Sequence, residues 1–307
     1  MLGLLFYKFL SEKTIEGFKA ATRCQGTMDE VLAQYAQMFE KKGEQIKQAL
    51  MRTPGYYVEP QYLYYTWVRE INAGKFELQH VMDGIANFER MIAGAKDAED
   101  FMNLFSTMNL NDPALGADLN MQSRNISSLI MLFEDLSIIE LQQNDVIGDA
   151  YEYLIGNFAM ESGKKAGEFY TPHQVSDVMA RIAAHSKPDM VSIYDPTCGS
   201  GSLLLTVKHY LSEDKKTSLH YYGQELNTAT YNLARMNLLL HGVKPSLMDI
   251  HNGDTLAEDW PEDPERPDEG RLFDAVVMII SSIISSGIRS KQGKPFFSSQ
   301  LYLAKAT

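Results

Sequence analysis

No stretch of this chain limits its fold more than the turn Asp195-Pro196-Thr197-Cys198-Gly199-Ser200-Gly201. Met190 to Asp195 just before it reads as a short buried strand, and Ser202 to Leu211 just after it as a helix. A strand that reverses through glycines directly into a helix opens a βαβ unit. The pattern then continues. Leu219 to Gln224 reads as a strand, Asn227 to His241 as a helix, and Ser246 to Ile250 and Phe273 to Met278 as two further strands. Strands alternating with helices predict a parallel sheet with right-handed crossovers.

Upstream the text is different. Leu2, Leu5, Phe6, Phe9 and Leu10 recur at helical spacing, as do Val31, Leu32, Tyr35, Met38 and Phe39, and then Phe88, Met91 and Ile92. Asp97 to Met108 and Ile126 to Leu136 read as further helices, with breaks at Pro54-Gly55, Asn72-Ala73-Gly74 and Asn111-Asp112-Pro113. After Asp145 come an amphipathic helix, Val146 to Met160, a polar turn, Glu161 to Lys165, and a helix from His173 to His185. The expected fold is α/β with an N-terminal all-α domain over 1–145 and a Rossmann-like sheet, only partly present, within 146–307.

Three features of the second part carry chemistry. Glycines in the 195–201 turn let a ligand approach the backbone, and free amides at a helix start attract polar groups. Asp195 disfavours phosphate there and suits a cationic or hydroxyl-bearing ligand. Glu225 ends the next strand about 25 residues later, where an acid captures ribose hydroxyls in nucleotide-binding sheets. Alone, Glu225 reads as a surface glutamate at a strand end; together with the turn it points to a nucleoside. Asp254, after the third strand, can accept from an exocyclic amine, or else simply cap a turn. Gly167-Glu168-Phe169-Tyr170-Thr171-Pro172 offers a carboxylate, a ring and a hydroxyl as a lid on the same pocket, or merely a helix entry. The turn departs from the Gly-x-Gly-x-x-Gly spacing of nicotinamide-binding dehydrogenases, which argues against that class.

Composition removes other classes. The chain has 28 basic and 40 acidic residues, so a net charge of −12, and both halves are acidic. A body that grips nucleic acid on its own by neutralising phosphates is not expected. Two cysteines, Cys24 and Cys198, support neither a disulfide scaffold nor a four-thiolate zinc site. No metal site is expected, and His173, His220 and His241 read as structural or exposed. No apolar run approaches a membrane span, and Leu2 to Leu10 lack a basic leader and a cleavage site, so a cytoplasmic protein is expected. The aromatic run Tyr56, Tyr57, Tyr62, Tyr64, Tyr65 and Trp67 has few basic neighbours and reads as core or subunit interface rather than a base-stacking platform. Glu258 to Asp274, with its prolines, reads as a solvated loop.

With these residues in view, the chain resembles the modification subunits of type I restriction–modification systems, adenine-N6 DNA methyltransferases that use S-adenosylmethionine. Seven ordered segments carry the resemblance: Leu2 to Ser11, Ala150 to Ile155, Gly167 to Pro172, Asp195 to Gly201, Gly223 to Asn227, Asn232 to Asn237, and Gly253 to Leu256. The resemblance implies that Asp195, Pro196, Cys198, Gly199, Ser200 and Gly201 cradle the methionine part and ribose of the cofactor. It implies that Glu168, Tyr170 and Thr171 close over that end, Glu225 binds the ribose hydroxyls and Asp254 the adenine amine. Cys198 itself reads as a small buried residue of the turn. The implied partners are DNA, reached through the complex, a specificity subunit, a restriction subunit and a second modification subunit.

One family motif is missing. An Asn-Pro-Pro-Tyr/Phe tetrapeptide is expected after the fourth strand, where its Asn and Pro accept from the target amine and its ring stacks on the flipped adenine. Here Met278 is followed by Ile279-Ile280-Ser281-Ser282-Ile283-Ile284-Ser285-Ser286 and a polar tail to Thr307. No catalytic residue is therefore assigned. The expectation is a truncated or frame-altered member, shortened at both ends, whose cofactor pocket survives and whose methyl transfer does not.

Overall fold

The computed structural model describes residues 1–52, 55–95, 99–143, 146–161, 173–255, 257, 260–263 and 266–279. The chain forms two compact units, Met1–Val146 and Ile147–Thr307.

The first unit holds helices α1 (Leu2–Thr22), α2 (Met28–Arg52), α3 (Tyr64–Asn72), α4 (Leu78–Ala93), α5 (Leu119–Leu132) and α6 (Ile138–Gln143). Every residue of helix α1 from Leu4 to Glu12 is buried, and α2, α3 and α6 pack against it. Its Tyr7 ring stacks on Trp67 of α3 with centroids 4.6 Å apart. Gly84 of α4 permits that approach, because a Cβ there would lie 2.9 Å from the Trp67 ring and 3.0 Å from the Tyr7 hydroxyl. Tyr56, Tyr64 and Trp67 are fully enclosed, so these aromatics are core.

Two of the buried side chains of α1 are charged. Lys8 and Glu12 pair at 2.8 Å with both side chains almost inaccessible. The Lys8 ammonium lies over the rings of Tyr64 and Tyr65. The other Glu12 oxygen accepts from the Ile139 amide at 3.0 Å, in the first turn of α6. One ion pair thus ties α1 to α3 and α6.

The expected helix over 97–108 is not continuous. A single 3-10 turn, Glu99–Phe101, gives way to turns, with Asn103 left-handed at φ 57. The Glu89 carboxylate of α4 accepts from the Asn103 amide at 2.9 Å and the Phe105 amide at 3.1 Å. Those contacts take the place of helical bonds. The helix read over 126–136 instead starts at Leu119, behind Asp118, whose side chain caps the Met121 amide.

In the second unit α7 (Val146–Glu161) and α8 (His173–Ser186) precede strand β1 (Ser192–Asp195). Helices α9 (Ser202–Lys208) and α10 (Glu213–Lys216) lead to β2 (His220–Glu225), and α11 (Thr228–Leu240) leads to β3 (Met248–Asn252). A hairpin of β4 (Glu262–Asp263) and β5 (Arg266–Gly270) follows, then β6 (Ala275–Val276). The sheet order is β3-β2-β1-β6 with every pairing parallel. This is the first half of a doubly wound sheet. The strand order reverses between β1 and β6, which opens a crevice at their carboxyl ends.

At the opposite end of these strands, Asp274 accepts from the amides of Val191 at 2.8 Å and Ser192 at 3.1 Å. The stretch read as a solvated loop, 258–274, contains the β4–β5 hairpin instead. Its anchor is Trp260, which packs on the buried cluster of Tyr194, Tyr222 and Phe273. The third strand lies two residues later than its sequence pattern suggests, because Pro245–Leu247 is a 3-10 turn.

Lys8→Met is expected to destabilise the chain by about 3–5 kcal/mol, because it leaves the Glu12 carboxylate buried without its partner. The Lys8→Met/Glu12→Leu double variant should recover most of that loss. Urea unfolding of the full chain measures both.

Candidate functional site

The turn after β1 lies at the crevice between β1 and β6. Its shape depends on two left-handed glycines, Gly199 at φ 56 and Gly201 at φ 78, a conformation in which a side chain is strained. The Cys198 amide donates to the Gln224 carbonyl at 2.9 Å, which lays the turn across the end of β2. There the chain needs a third glycine. A Cβ on Gly223 would lie 3.0 Å from Cys198 Sγ and 3.0 Å from Ile250 Cδ1. Cys198 is 5% exposed and burial pushes its thiol well up, so it is a packing residue and not a nucleophile at neutral pH.

Asp195 ends β1 and is 3% exposed. Its Oδ1 accepts from the Thr197 amide at 2.9 Å and the Thr197 hydroxyl at 3.3 Å. Burial raises its pKa to about 7; the Thr197 bonds oppose that rise and the nearby Glu225 charge adds to it. Among the described residues no cation contributes to this balance. A buried carboxyl poised near neutrality, with a second carboxylate beside it, is an environment that a positively charged ligand relieves.

Glu225 closes the other side. Its Oε2 accepts from the Gly199 amide at 3.2 Å and its Oε1 from the Asn227 amide at 2.7 Å. Two backbone donors therefore fix the carboxylate over the glycine turn. Asn252 holds the same corner by donating to the carbonyls of Glu225 at 2.8 Å and Leu226 at 3.1 Å. The Gly253 amide also donates to the Glu225 carbonyl, at 3.1 Å. Thr255 donates its hydroxyl to the Pro196 carbonyl. Asp254, half-buried between Gly253 and Thr255, is thereby held at the same crevice. The Thr197 hydroxyl also donates to the Ile279 carbonyl at 3.3 Å, which brings the residues following β6 to the turn.

Asp195, Pro196, Cys198, Gly199, Ser200, Gly201, Glu225 and Asp254 thus gather at one end of the sheet. Glu168, Tyr170 and Thr171 lie outside the described residues. Sequence reasoning missed Gly223, Asn252 and Thr255, which hold the site rather than face a ligand. It also missed Glu152 on α7 and Asn237 on α11. A buried asparagine in the middle of an apolar helix was the available signal for Asn237, since such a residue needs a specific partner. His220 pairs with Asp249 at 2.8 Å, and buried His241 bonds the Asn237 carbonyl through Nδ1 at 3.0 Å. Among the described residues no three His, Cys, Asp or Glu side chains converge as a metal site.

The sequence model of the N-6 DNA methylase family matches residues 142–278, a span that contains α7, the glycine turn, Glu225 and Asp254. The chain belongs to the N-6 DNA methylase family. Its likeness extends across the helical unit as well. It is 34% identical over 265 residues to the MpnII type I restriction enzyme methylase subunit of Mycoplasma pneumoniae, a match covering 83% of this chain and 48% of that one. The MjaVII methylase subunit of Methanocaldococcus jannaschii is 26% identical over 262 residues, covering 83% of this chain and 40% of that one. The crystal structure of a type I restriction–modification methyltransferase subunit from Streptococcus thermophilus superposes with a TM-score of 0.78 at 37% identity, over 91% of this chain and 57% of that one. The chain spans about half the length of the curated relatives it matches.

Asp195 gives a signed prediction. Its folded pKa, about 7, lies above its ordinary value of 3.8, so the folded state binds the extra proton between those values. Stability then falls as pH rises through that window. Asp195→Asn keeps the acceptor for Thr197 and removes the buried charge. It should raise the stability of the ligand-free chain at pH 8 by on the order of 2 kcal/mol, and by little at pH 4. Gly223→Ala should act oppositely, costing about 1–3 kcal/mol at either pH through overpacking against Cys198. Denaturant titrations at the two pH values test both.

Proposed function

We propose that this chain supplies the methyl-donor pocket of an adenine-N6 DNA methyltransferase, as a modification subunit of a type I restriction–modification system, with S-adenosylmethionine as cofactor. The observation that carries this reading is the convergence of Asp195, the glycine turn, Glu225 and Asp254 at the strand-order reversal of a parallel sheet, in a member of the N-6 DNA methylase family. In this reading residues 1–145 are the helical domain and 146–307 the partial methyltransferase domain. The partners are DNA, met through the assembled complex, a specificity subunit, a restriction subunit and a second modification subunit. A net charge of −12 suits a subunit whose grip on DNA is shared with such partners.

The residues fit this cofactor on chemical grounds. S-adenosylmethionine supplies an electrophilic methyl group on a sulfonium. Asp195, buried and with no cationic neighbour among the described residues, receives positive charge. The turn from Pro196 to Gly201 offers close backbone approach to the methionine part and ribose. Glu225, oriented by the Gly199 and Asn227 amides, accepts from ribose hydroxyls. Asp254 accepts from the adenine amine. The family resemblance assigns the methionine end to Glu168, Tyr170 and Thr171, which lie outside the described residues.

The sequence beyond β6 favours a second reading for catalysis. Met278-Ile279-Ile280-Ser281-Ser282 provides neither the rigid acceptor pair nor the stacking ring that orients a target amine. In this second reading the chain is a catalytically inactive remnant that binds cofactor or partner subunits and transfers no methyl group.

Isothermal titration with S-adenosylmethionine should detect binding, and Glu225→Ala should weaken it at least tenfold. Affinity should rise with pH through about 7, as Asp195 becomes the carboxylate that meets the cationic cofactor. Transfer of a labelled methyl group to DNA in the presence of the partner subunits should be absent. Absence of cofactor binding defeats the main reading, and transfer at an ordinary enzymatic rate defeats the second.

A further inference from the structure

One carboxyl group of the second unit is partly buried and has no role in the site as described. Glu152 lies on α7 and bonds two polar side chains, Ser202 at the start of α9 and Asn237 on α11. Neither carries charge. Both lead directly to the glycine turn. Asn237 Nδ2 donates to the Ser200 carbonyl at 3.0 Å, and the hydroxyls of Ser200 and Ser202 lie 3.0 Å apart. Asn237 is fully enclosed, and Ser200 and Ser202 are 2% and 4% exposed. The turn residues that follow Gly199 are therefore held by a polar chain, Glu152 to Ser202 to Ser200 and Glu152 to Asn237 to Ser200, whose Ser200, Ser202 and Asn237 are buried.

We propose that Glu152 is a positioning residue for the cofactor turn, its carboxyl group orienting Ser202 and Asn237 so that Ser200 and Gly201 are held in the shape that receives the cofactor. The inference rests on the cofactor reading above.

The geometry explains why a carboxyl group is needed. A carboxylate accepts at both oxygens, so it takes the Ser202 hydroxyl and the Asn237 amide together. With the Asn237 amide group turned toward Glu152, its second N–H remains aimed at the Ser200 carbonyl. A glutamine presents one acceptor and one donor. It accepts from Asn237 only by donating to Ser202, which turns the Ser202 hydroxyl around and reverses its bond with Ser200. Burying a carboxyl among neutral donors costs stability, so packing alone does not account for it.

Burial raises the Glu152 pKa to about 7, with the Ser202 and Asn237 bonds opposing the rise. The charged groups that bear on it are Asp149 on its own helix, which adds to the rise, and His173 at the start of α8, which lowers it. Its proton is thus lost over the same range as that of Asp195. Above that range Glu152 accepts from both partners. Below it the protonated group behaves as a glutamine does.

The test is Glu152→Gln in the full chain, titrated with S-adenosylmethionine between pH 6 and pH 8.5. At pH 8 the variant should bind about tenfold more weakly than the parent. At pH 6, where the parent carboxyl is itself protonated, the difference should shrink to about twofold or less. In the ligand-free variant the amides of Ser200 and Gly201 should exchange hydrogen faster than in the parent at pH 8. Ser202→Ala cuts the same chain from the other end and should show the same exchange pattern, which keeps the test decisive where Glu152→Gln fails to fold. Equal affinity at all pH values, or a deficit that is constant across pH together with unchanged exchange, overturns the assignment. Failure of the parent to bind the cofactor at all defeats the underlying reading, and is distinguished by the parent titration alone.

Discussion

The site depends on the parallel pairing of β1 with two later strands that flank it on opposite sides of the sheet. Strand β2 follows β1 in sequence and pairs through Ser192 to Asp195, while β6 arrives much later and pairs with Ile193 and Tyr194 from the other side. The chain leaving β1 cannot continue into a neighbour at that point, so its end opens into a crevice. Everything described at the turn answers to this. Two left-handed glycines fold the backbone over the strand ends, Gly223 leaves room beneath it, and Glu225 fastens it across to β2.

The crevice is a concentration of acid. Asp195 is buried at the end of β1, Glu225 lies over the turn, and Asp254 is held beside it through Gly253 and Thr255. Burial, with the Glu225 charge adding to it, is why Asp195 retains a proton near neutrality. The cost is concentrated where a cationic, hydroxyl-rich nucleoside is proposed to bind, and so becomes a source of selectivity against phosphates and other anions.

How much of this was legible in the sequence depends on how local the cause was. The glycine turn, Glu225 and Asp254 could be read because their identities and spacing along the chain are themselves the signal. The alternation of strand and helix was legible for the same reason, down to shifts of up to three residues at element ends, while the short α10 went unread. The β4–β5 hairpin was not, since its anchor is the contact of Trp260 with Tyr194 and Tyr222, residues far away in sequence. The interrupted 97–108 stretch was misread because a carboxylate from another helix, Glu89, takes the amides that helical bonds would use. Glu152 was passed over among apolar neighbours, since its partners Ser202 and Asn237 become its neighbours only in the fold.

The Asp274 carboxylate also bears on the order in which the unit assembles. It joins the start of β6 to the amides that open β1, across a separation of 82 and 83 residues. Strand β2 follows β1 through α9 and α10, and β3 follows β2 through α11, so the three can zip together as the chain grows. Strand β6 closes a long loop and is the slow partner, because the entropy of that closure is spent before its contacts form. Until it docks, β1 is an edge, with Ile193 and Tyr194 open to pairing with any other extended chain. Three amide and hydroxyl donors waiting on Val191 and Ser192 give the incoming Asp274 a single register in which to land. The staple is thus a device for correct closure at the one edge where a wrong strand would remove the ligand crevice altogether.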